Sequence, residues 1–329
     1  MARIVRFHHL GAPADVLRIE DTNVPAPKAN EVRIEIEAFA LNRADSLFTY
    51  GHHYTLPTLP SRIGSEAAGR VEAVGSAVAA FRVGDPVCTI PFHTDKYGVQ
   101  GELALYPEDY LAPWPDCLSA EQATSVWMQY LTAYFALIEI GEASPDDYIL
   151  IAAASSSAGL AAIQLCKDAG STVIATTRTA KKRLAIQSAG ADHVVVTDQE
   201  TLESRIKELT DGKGVRLVYD PIGGPFMKTY VNALARRATI FLYGLLSGEP
   251  TEVEVVPMVR KAAILHPYSM FNHVCEPDEL ERGKTYVLQR LIDGRLKPII
   301  DRVFAFDDTL EAYRHMDSMK QLGKIVVRV

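Results

Sequence analysis

The 329-residue chain is expected to be an α/β protein: a doubly wound parallel sheet joined to a β-rich domain. Three observations carry that expectation. Short apolar runs alternate with helical patterns from 148 to 243, prolines punctuate short strands before 120, and strand-like patterning returns after Pro298. Strands and helices alternating at these lengths build parallel sheets, because each crossover helix packs back onto a sheet face. The α/β part is therefore inserted into the β-rich part, with expected limits of 1–121, 122–266 and 267–329.

In the β-rich part, strands are expected at 4–7, 16–20, 31–38, 68–74 and 87–90. The alternation in VRIEIEAFA marks a strand with one buried face. The segment 64–85 reads as two strands with a tight turn near Gly75. Ser119 followed by Gln122 forms a capping box, opening a helix to about Ile140. A strand at 148–152, a helix at 158–169 closed by Gly170, and a strand at 171–177 make one βαβ unit. Helices follow at 181–190, 200–210, 226–234 and 278–293, and strands at 192–196, 215–220 and 239–243. The runs 238–243 and 253–258 are the strands expected at a sheet edge, and the tail closes with a helix at 310–319 and a strand at 324–329.

The loop of the βαβ unit has the spacing of a dinucleotide-binding turn without its usual glycines. Ala153, Ser156 and Gly159 occupy the three small positions. Small residues let the backbone approach a pyrophosphate, whose charge then sits at a helix N-terminus. Ser155, Ser156 and Ser157 roughly satisfy the size limit and add hydroxyl donors. By itself the loop is equally a tight turn in another α/β protein.

Composition excludes other classes. A net charge of −7 offers no basic field for nucleic acid or an anionic membrane. The N-terminus lacks a signal peptide's apolar core. The least charged long stretch, 122–140, holds Gln129 and Glu139 and reads as a buried helix, not a span. Cys88, Cys117, Cys166 and Cys275 show no C-x-x-C pair. Reduced, mostly buried thiols of a cytoplasmic protein are expected.

Several stretches share one order: Asn42 and Asp45 in ALNRADSLF, GSEAAGRVEAVG at 64–75, VGDPV at 83–87 and LTAYFAL at 131–137. AGADHVV at 189–195, LVYDPIGG at 217–224, LYGLLSG at 242–248 and GKIVV at 323–327 continue it. In these the chain resembles the medium-chain dehydrogenase/reductase superfamily, specifically its zinc-independent quinone oxidoreductase (zeta-crystallin-like) branch. The resemblance implies a GroES-like catalytic domain, a Rossmann cofactor domain and a cleft between them. Zinc-dependent members place Cys near position 42 and Gly-His-Glu at 64–66. Asn42 and Gly64-Ser65-Glu66 stand here, so no metal is expected. The paired histidines His8/His9 and His52/His53 point apart if on strands, and lack clustered partners.

An NAD-preferring site carries an acid about 20 residues beyond the turn. This strand ends instead in Thr177, Arg178, Thr179, Lys181 and Lys182, which suit the 2′-phosphate of NADPH; a basic first turn of a solvated helix is the plain alternative. The resemblance further implies cofactor contacts from Asn42, Thr132, Ser155, Ser156, Ser157, Ala158, Thr177, Arg178, Lys182, Tyr243, Leu245, Phe271 and Asn272. Asn42 and Tyr54 are the implied catalytic residues, with Tyr50 and Tyr130 competing as proton donors. Asp220 is expected to shape the turn after its strand. Loop positions place Tyr50, His52, His53, Phe92, His93, Tyr97 and Tyr268 around the expected substrate.

The expected activity is hydride transfer from NADPH to a quinone or α,β-unsaturated carbonyl, a small-molecule substrate. The alternatives are an enoyl-thioester reductase and a low-turnover NADPH-binding sensor or structural protein. A homodimer is implied by relatives that pair their cofactor-domain sheets.

Overall fold

In the computed structural model, which describes residues 1–329, the apolar run after residue 147 begins a six-stranded parallel sheet. Its strands are Tyr148–Ile151, Thr172–Thr177, His193–Val196, Val215–Asp220, Leu234–Leu242 and Ile264–Pro267. Counted along the chain, they lie in the order 3-2-1-4-5-6. Ile149, Leu150 and Ile151 are all buried, as befits a strand covered on both faces. The strand order reverses beside Tyr148–Ile151, so the turn that follows it lies at the switch point where open α/β sheets bind ligands.

This sheet and its helices form one compact unit, Gln129–Lys297; Met1–Met128 with Pro298–Val329 form the other. Residues 267–297 thus belong with the parallel sheet, not with the β-rich part as expected. Packing explains the assignment. Tyr268 Oη donates to the Thr132 carbonyl at 2.9 Å, and His273 stacks on Phe135 with ring centroids 4.9 Å apart. Helix Pro277–Ile292 approaches through Gly283, where a Cβ would lie 2.8 Å from Leu131.

Three expected elements take another form. The helix to Ile140 is divided into Ala120–Ala123, Trp127–Ala133 and a π-helix, Tyr134–Ile140. Its wider turn is visible in the i,i+5 backbone bond from Gly141 N–H to Ala136 O at 2.9 Å. The expected helix at 226–234 is two 3₁₀ turns, Gly224–Thr229 and Val231–Ala233, which use the same spacing to bury Met227, Tyr230 and Val231. The run at 253–258 is no strand but the start of helix Val255–Lys261. Pro257 sits in its first turn, where a missing N–H costs nothing, whereas a sheet ladder would lose a bond.

In the other unit, a sheet runs Ile300–Ala305, Lys324–Arg328, Glu31–Ala40, Glu66–Val74, Pro86–Thr89, Leu111–Pro113, with Leu103–Pro107 also on Glu31–Ala40. A smaller sheet joins Arg18–Thr22, Ala2–Phe7 and Ser61–Arg62. Residues 13–16 form a helical turn, which delays the second strand to Arg18. No tight hairpin forms at Gly75; its N–H bonds Glu31 O, and the partner strand begins only at Pro86. The C-terminal strand pairs antiparallel with Glu31–Ala40, Val326 opposite Ala40. That pairing carries Lys324 to the loop holding Asn42.

Candidate active site

Asn42 precedes helix Arg43–Tyr50, and Asp45 accepts from the Asn42 backbone N–H at 2.8 Å. Lys324 Nζ lies 2.6 Å from Asn42 Oδ1 and 2.6 Å from Glu66 Oε2. Asn42 Nδ2 donates to the same Glu66 oxygen at 3.3 Å, while Glu66 Oε1 accepts the Met128 N–H at 2.9 Å. Lys324 and Glu66 are 1% and 0% exposed, so this ion pair is fully desolvated. An ammonium only donates, so it binds the carbonyl end of the Asn42 amide and fixes which way that amide points. Of the two amide N–H groups, one goes to Glu66 and one remains. Burial raises the Asp45 carboxyl to about 7, and the Glu66 charge adds to the shift. No signal local to Asn42 points to Lys324, which lies 282 residues away.

The aromatic residues of this unit divide into two groups. Phe92 and Tyr97 pack beside Tyr106 and Tyr110 in the barrel core, Phe92 stacked on Tyr110 at 3.9 Å. Phe92 and Tyr97 are both half-buried against that core. The exposed group follows helix Arg43–Tyr50: Tyr50 stacks on His52, and Tyr54 stacks on His53 at 4.1 Å and lies 5.2 Å from His93. His52 and His53 therefore sit in a turn, each against a tyrosine, not on a strand. Burial lowers the His53 pKa, and His93 lowers it further. Tyr54 is 58% exposed. Two other aromatic expectations fail. Tyr130 is buried with its hydroxyl on Gln164 Oε1 at 3.0 Å, and Tyr268 is a core residue.

In the sheet unit, the loop after Tyr148–Ile151 turns through Ala153, whose φ of +47° lies in the region glycine prefers. Ser156 caps helix Ser157–Asp168, accepting the Gly159 N–H at 3.0 Å. Gly159 is the indispensable small residue: a Cβ there would stand 2.7 Å from Ala154 Cα. Lys182 Nζ donates to Ser155 Oγ at 3.2 Å, which brings a cation onto the loop. Thr177 ends its strand buried, and Arg178 beyond it is exposed with no carboxylate paired to it. The structure thus gathers Ser155, Ser156, Ser157, Ala158, Thr177, Arg178 and Lys182 around one turn. The donors, the positive N-terminal end of helix Ser157–Asp168 and the spare cation fit a dinucleotide phosphate.

Further along the unit, Thr132 is buried with Oγ1 3.1 Å from Met270 Sδ. Tyr243 follows its strand, stacked on Tyr219 at 4.1 Å, and Leu245 is exposed. Phe271 and Asn272 begin helix Phe271–Val274, with the Phe271 N–H on Ser269 Oγ. Asp220 accepts from the Ile222 and Gly223 N–H groups and from Tyr230 Oη, and so shapes its turn. Cys88 and Cys166 are buried, whereas Cys117 and Cys275 are exposed, so only half of the thiols are sequestered.

Residues 28–116 match the alcohol dehydrogenase GroES-like domain, and residues 158–279 match the zinc-binding dehydrogenase family. The chain is 31% identical over 329 residues to a quinone oxidoreductase of Pseudomonas aeruginosa, covering 99% of each chain. It belongs to the quinone oxidoreductase branch of the medium-chain dehydrogenase/reductases. A second member, quinone oxidoreductase 1 of Escherichia coli K12, is 31% identical over 327 residues, 98% of each chain. The crystal structure of Escherichia coli quinone oxidoreductase complexed with NADPH superposes with a TM-score of 0.91 at 29% identity, covering 100% of both chains. The Pseudomonas syringae pv. tomato quinone oxidoreductase gives 0.92 at 28% identity over 100% of both chains. As a member of this branch, the chain is an oxidoreductase with a Rossmann-like sheet and a GroES-like domain.

Proposed function

We propose that the chain is an NADPH-dependent, zinc-independent reductase of quinones and α,β-unsaturated carbonyls. The observation that carries the cofactor choice is the end of strand Thr172–Thr177, which presents Arg178 and Lys182 and no carboxylate. Arg pairs phosphate bidentately, and Lys adds a point charge. The amides of Ser155, Ser156, Ser157 and Ala158 take the pyrophosphate. Thr132, Tyr243, Leu245, Phe271 and Asn272 take the nicotinamide side. When bound, NADPH supplies the hydride.

Reduction of an enone or quinone builds negative charge on a carbonyl oxygen, which hydrogen-bond donors stabilise. Tyr54 Oη and the remaining N–H of Asn42 are the donors assigned to that oxygen. We infer a cytoplasmic homodimer, supported by exposed Val255, Val256, Val259 and Ile264 on and beside the edge strand Ile264–Pro267.

The test compares kcat/KM for NADPH and NADH in the wild type and in Arg178→Asp, with 9,10-phenanthrenequinone, a 2-alkenal and crotonyl-CoA as acceptors. NADPH preference in the wild type, lowered roughly tenfold or more by losing one charge-assisted contact, is expected. A wild type that prefers NADH overturns the cofactor assignment. Turnover confined to crotonyl-CoA would make the chain a thioester reductase, and NADPH binding without turnover a binding protein.

A further inference from the structure

A second polar site lies on the smaller sheet. A 220 Å³ cavity is lined there by Arg6, Arg62, Lys96, Thr22, Thr58 and Asp95, among others. Arg6 and Arg62 are directly opposed in the antiparallel pair of Ala2–Phe7 with Ser61–Arg62. Like charges in that position repel and destabilise a sheet unless something lies between them. Neighbouring carboxylates compensate Arg6 in part and Arg62 not at all. Arg62 makes no ion pair: Nη2 donates to the Leu103 carbonyl at 2.7 Å, and its buried Nε meets no protein acceptor. Arg6 stands 3.7 Å from Glu20, whose other oxygen is held by His8 at 2.6 Å. Asp95 is the single carboxylate in the lining, and it already accepts from Thr58 Oγ1 at 2.7 Å. Three cations against one carboxylate leave the lining with a charge of +2.

We propose that this cavity binds the phosphate group of a small phosphate ester. A phosphate ester carries about −1.5 to −2 charge at neutral pH, which matches the lining. Its oxygens accept from the Arg6 guanidinium and from the N–H groups of Arg62 that the Leu103 carbonyl leaves over, charge-assisted contacts for which Arg is suited. The Thr22 hydroxyl and Lys96 add donors at the mouth, whereas the single Thr58 proton is taken by Asp95. Burial, and then the Arg6 charge, lower the Arg62 pKa to about 10, a penalty that a bound dianion would reverse. The site is independent of the turn at 153–159: it lies on other residues and needs no dinucleotide.

Calorimetric titration of the full chain tests this, with inorganic phosphate and glycerol phosphate as probes and acetate or chloride at matched ionic strength as controls. Wild type, Arg62→Gln, Arg6→Gln, Lys96→Gln and Arg178→Gln are compared. Saturable phosphate binding is expected in the wild type and in Arg178→Gln, weakened roughly tenfold or more in Arg62→Gln and Arg6→Gln. Glycerol phosphate binding at least as tightly as phosphate supports an ester; tighter inorganic phosphate makes the free ion the ligand and overturns the ester. Absence of saturable binding, equal binding of acetate, or loss in Arg178→Gln alone overturns the site. Should Arg62→Gln not fold, Arg6→Gln and Lys96→Gln decide the matter.

Discussion

The two polar regions assigned to chemistry treat their charges in opposite ways. Around Asn42, the protein satisfies its own charges: Lys324 is taken up by Asn42 and Glu66, and Glu66 by Lys324 and a backbone N–H. Around Ser155, one cation is anchored on the loop while Arg178 stands in solvent without an acid. A closed network fixes the direction of one amide; an open one keeps charge available for a phosphate. A buried pair gives orientation at a desolvation cost, so its value lies in geometry more than in stability.

Breaking the closed network has the largest expected effect. Lys324→Met leaves Glu66 charged and buried, and it should lower unfolding free energy by about 3–5 kcal/mol in urea titrations. The double variant Lys324→Met/Glu66→Gln should recover most of that loss, since it removes both charges. A double variant as unstable as the single one would mean that Lys324 contributes by packing and not by charge.

Next comes pH. Asp45 ionises at about 7 in the folded chain against 3.8 as its ordinary value. A carboxyl raised in this way contributes its stabilising term in full below pH 3.8 and loses it as pH rises through about 7. At about 1.4 kcal/mol for each pKa unit, the swing is on the order of 4 kcal/mol. Asp45→Asn keeps an acceptor for the Asn42 N–H, so its stability relative to wild type should grow between pH 4 and 8. Parallel pH profiles for the two proteins would show that the carboxyl stays ionised.

The smallest expected effect probes the open region. Ala153 holds a left-handed φ that costs an L-residue about 1–2 kcal/mol, and glycine avoids it while losing more chain entropy. Ala153→Gly should therefore raise the unfolding free energy by about 0.5–1 kcal/mol. Cofactor preference should stay unchanged, because the cations are untouched. A fall in stability would indicate that the methyl packs in a way that offsets the strain.

Much of this architecture was legible locally. Period-two and period-3.6 patterns mark elements whose partners are near in sequence, so the βαβ unit at 148–177, the capping box at Ser119 and the small position at Gly159 could all be read directly. The cationic strand end at Arg178 and Lys182 was visible for the same reason: nothing between them and the turn needed tertiary knowledge. Where competing structures share one pattern, local reading failed. The valines at 253–256 suit a strand or a helix, and Pro257 tips the balance only once the sheet edge is known to be filled by Ile264–Pro267. Likewise the apolar helix to Ile140 carries no local mark of its wider π turn.

By itself, then, the sequence determined the order of elements, the small-residue turn and the charge beside it, because these depend on contacts within a few tens of residues. The partners of Asn42 were decided only by the tertiary structure. Lys324 arrives through the pairing of the final strand with Glu31–Ala40, and Arg62 meets Arg6 through pairing across another sheet. Neither encounter leaves a periodic trace. A buried charge finds its counterpart, or fails to, only when the sheets close.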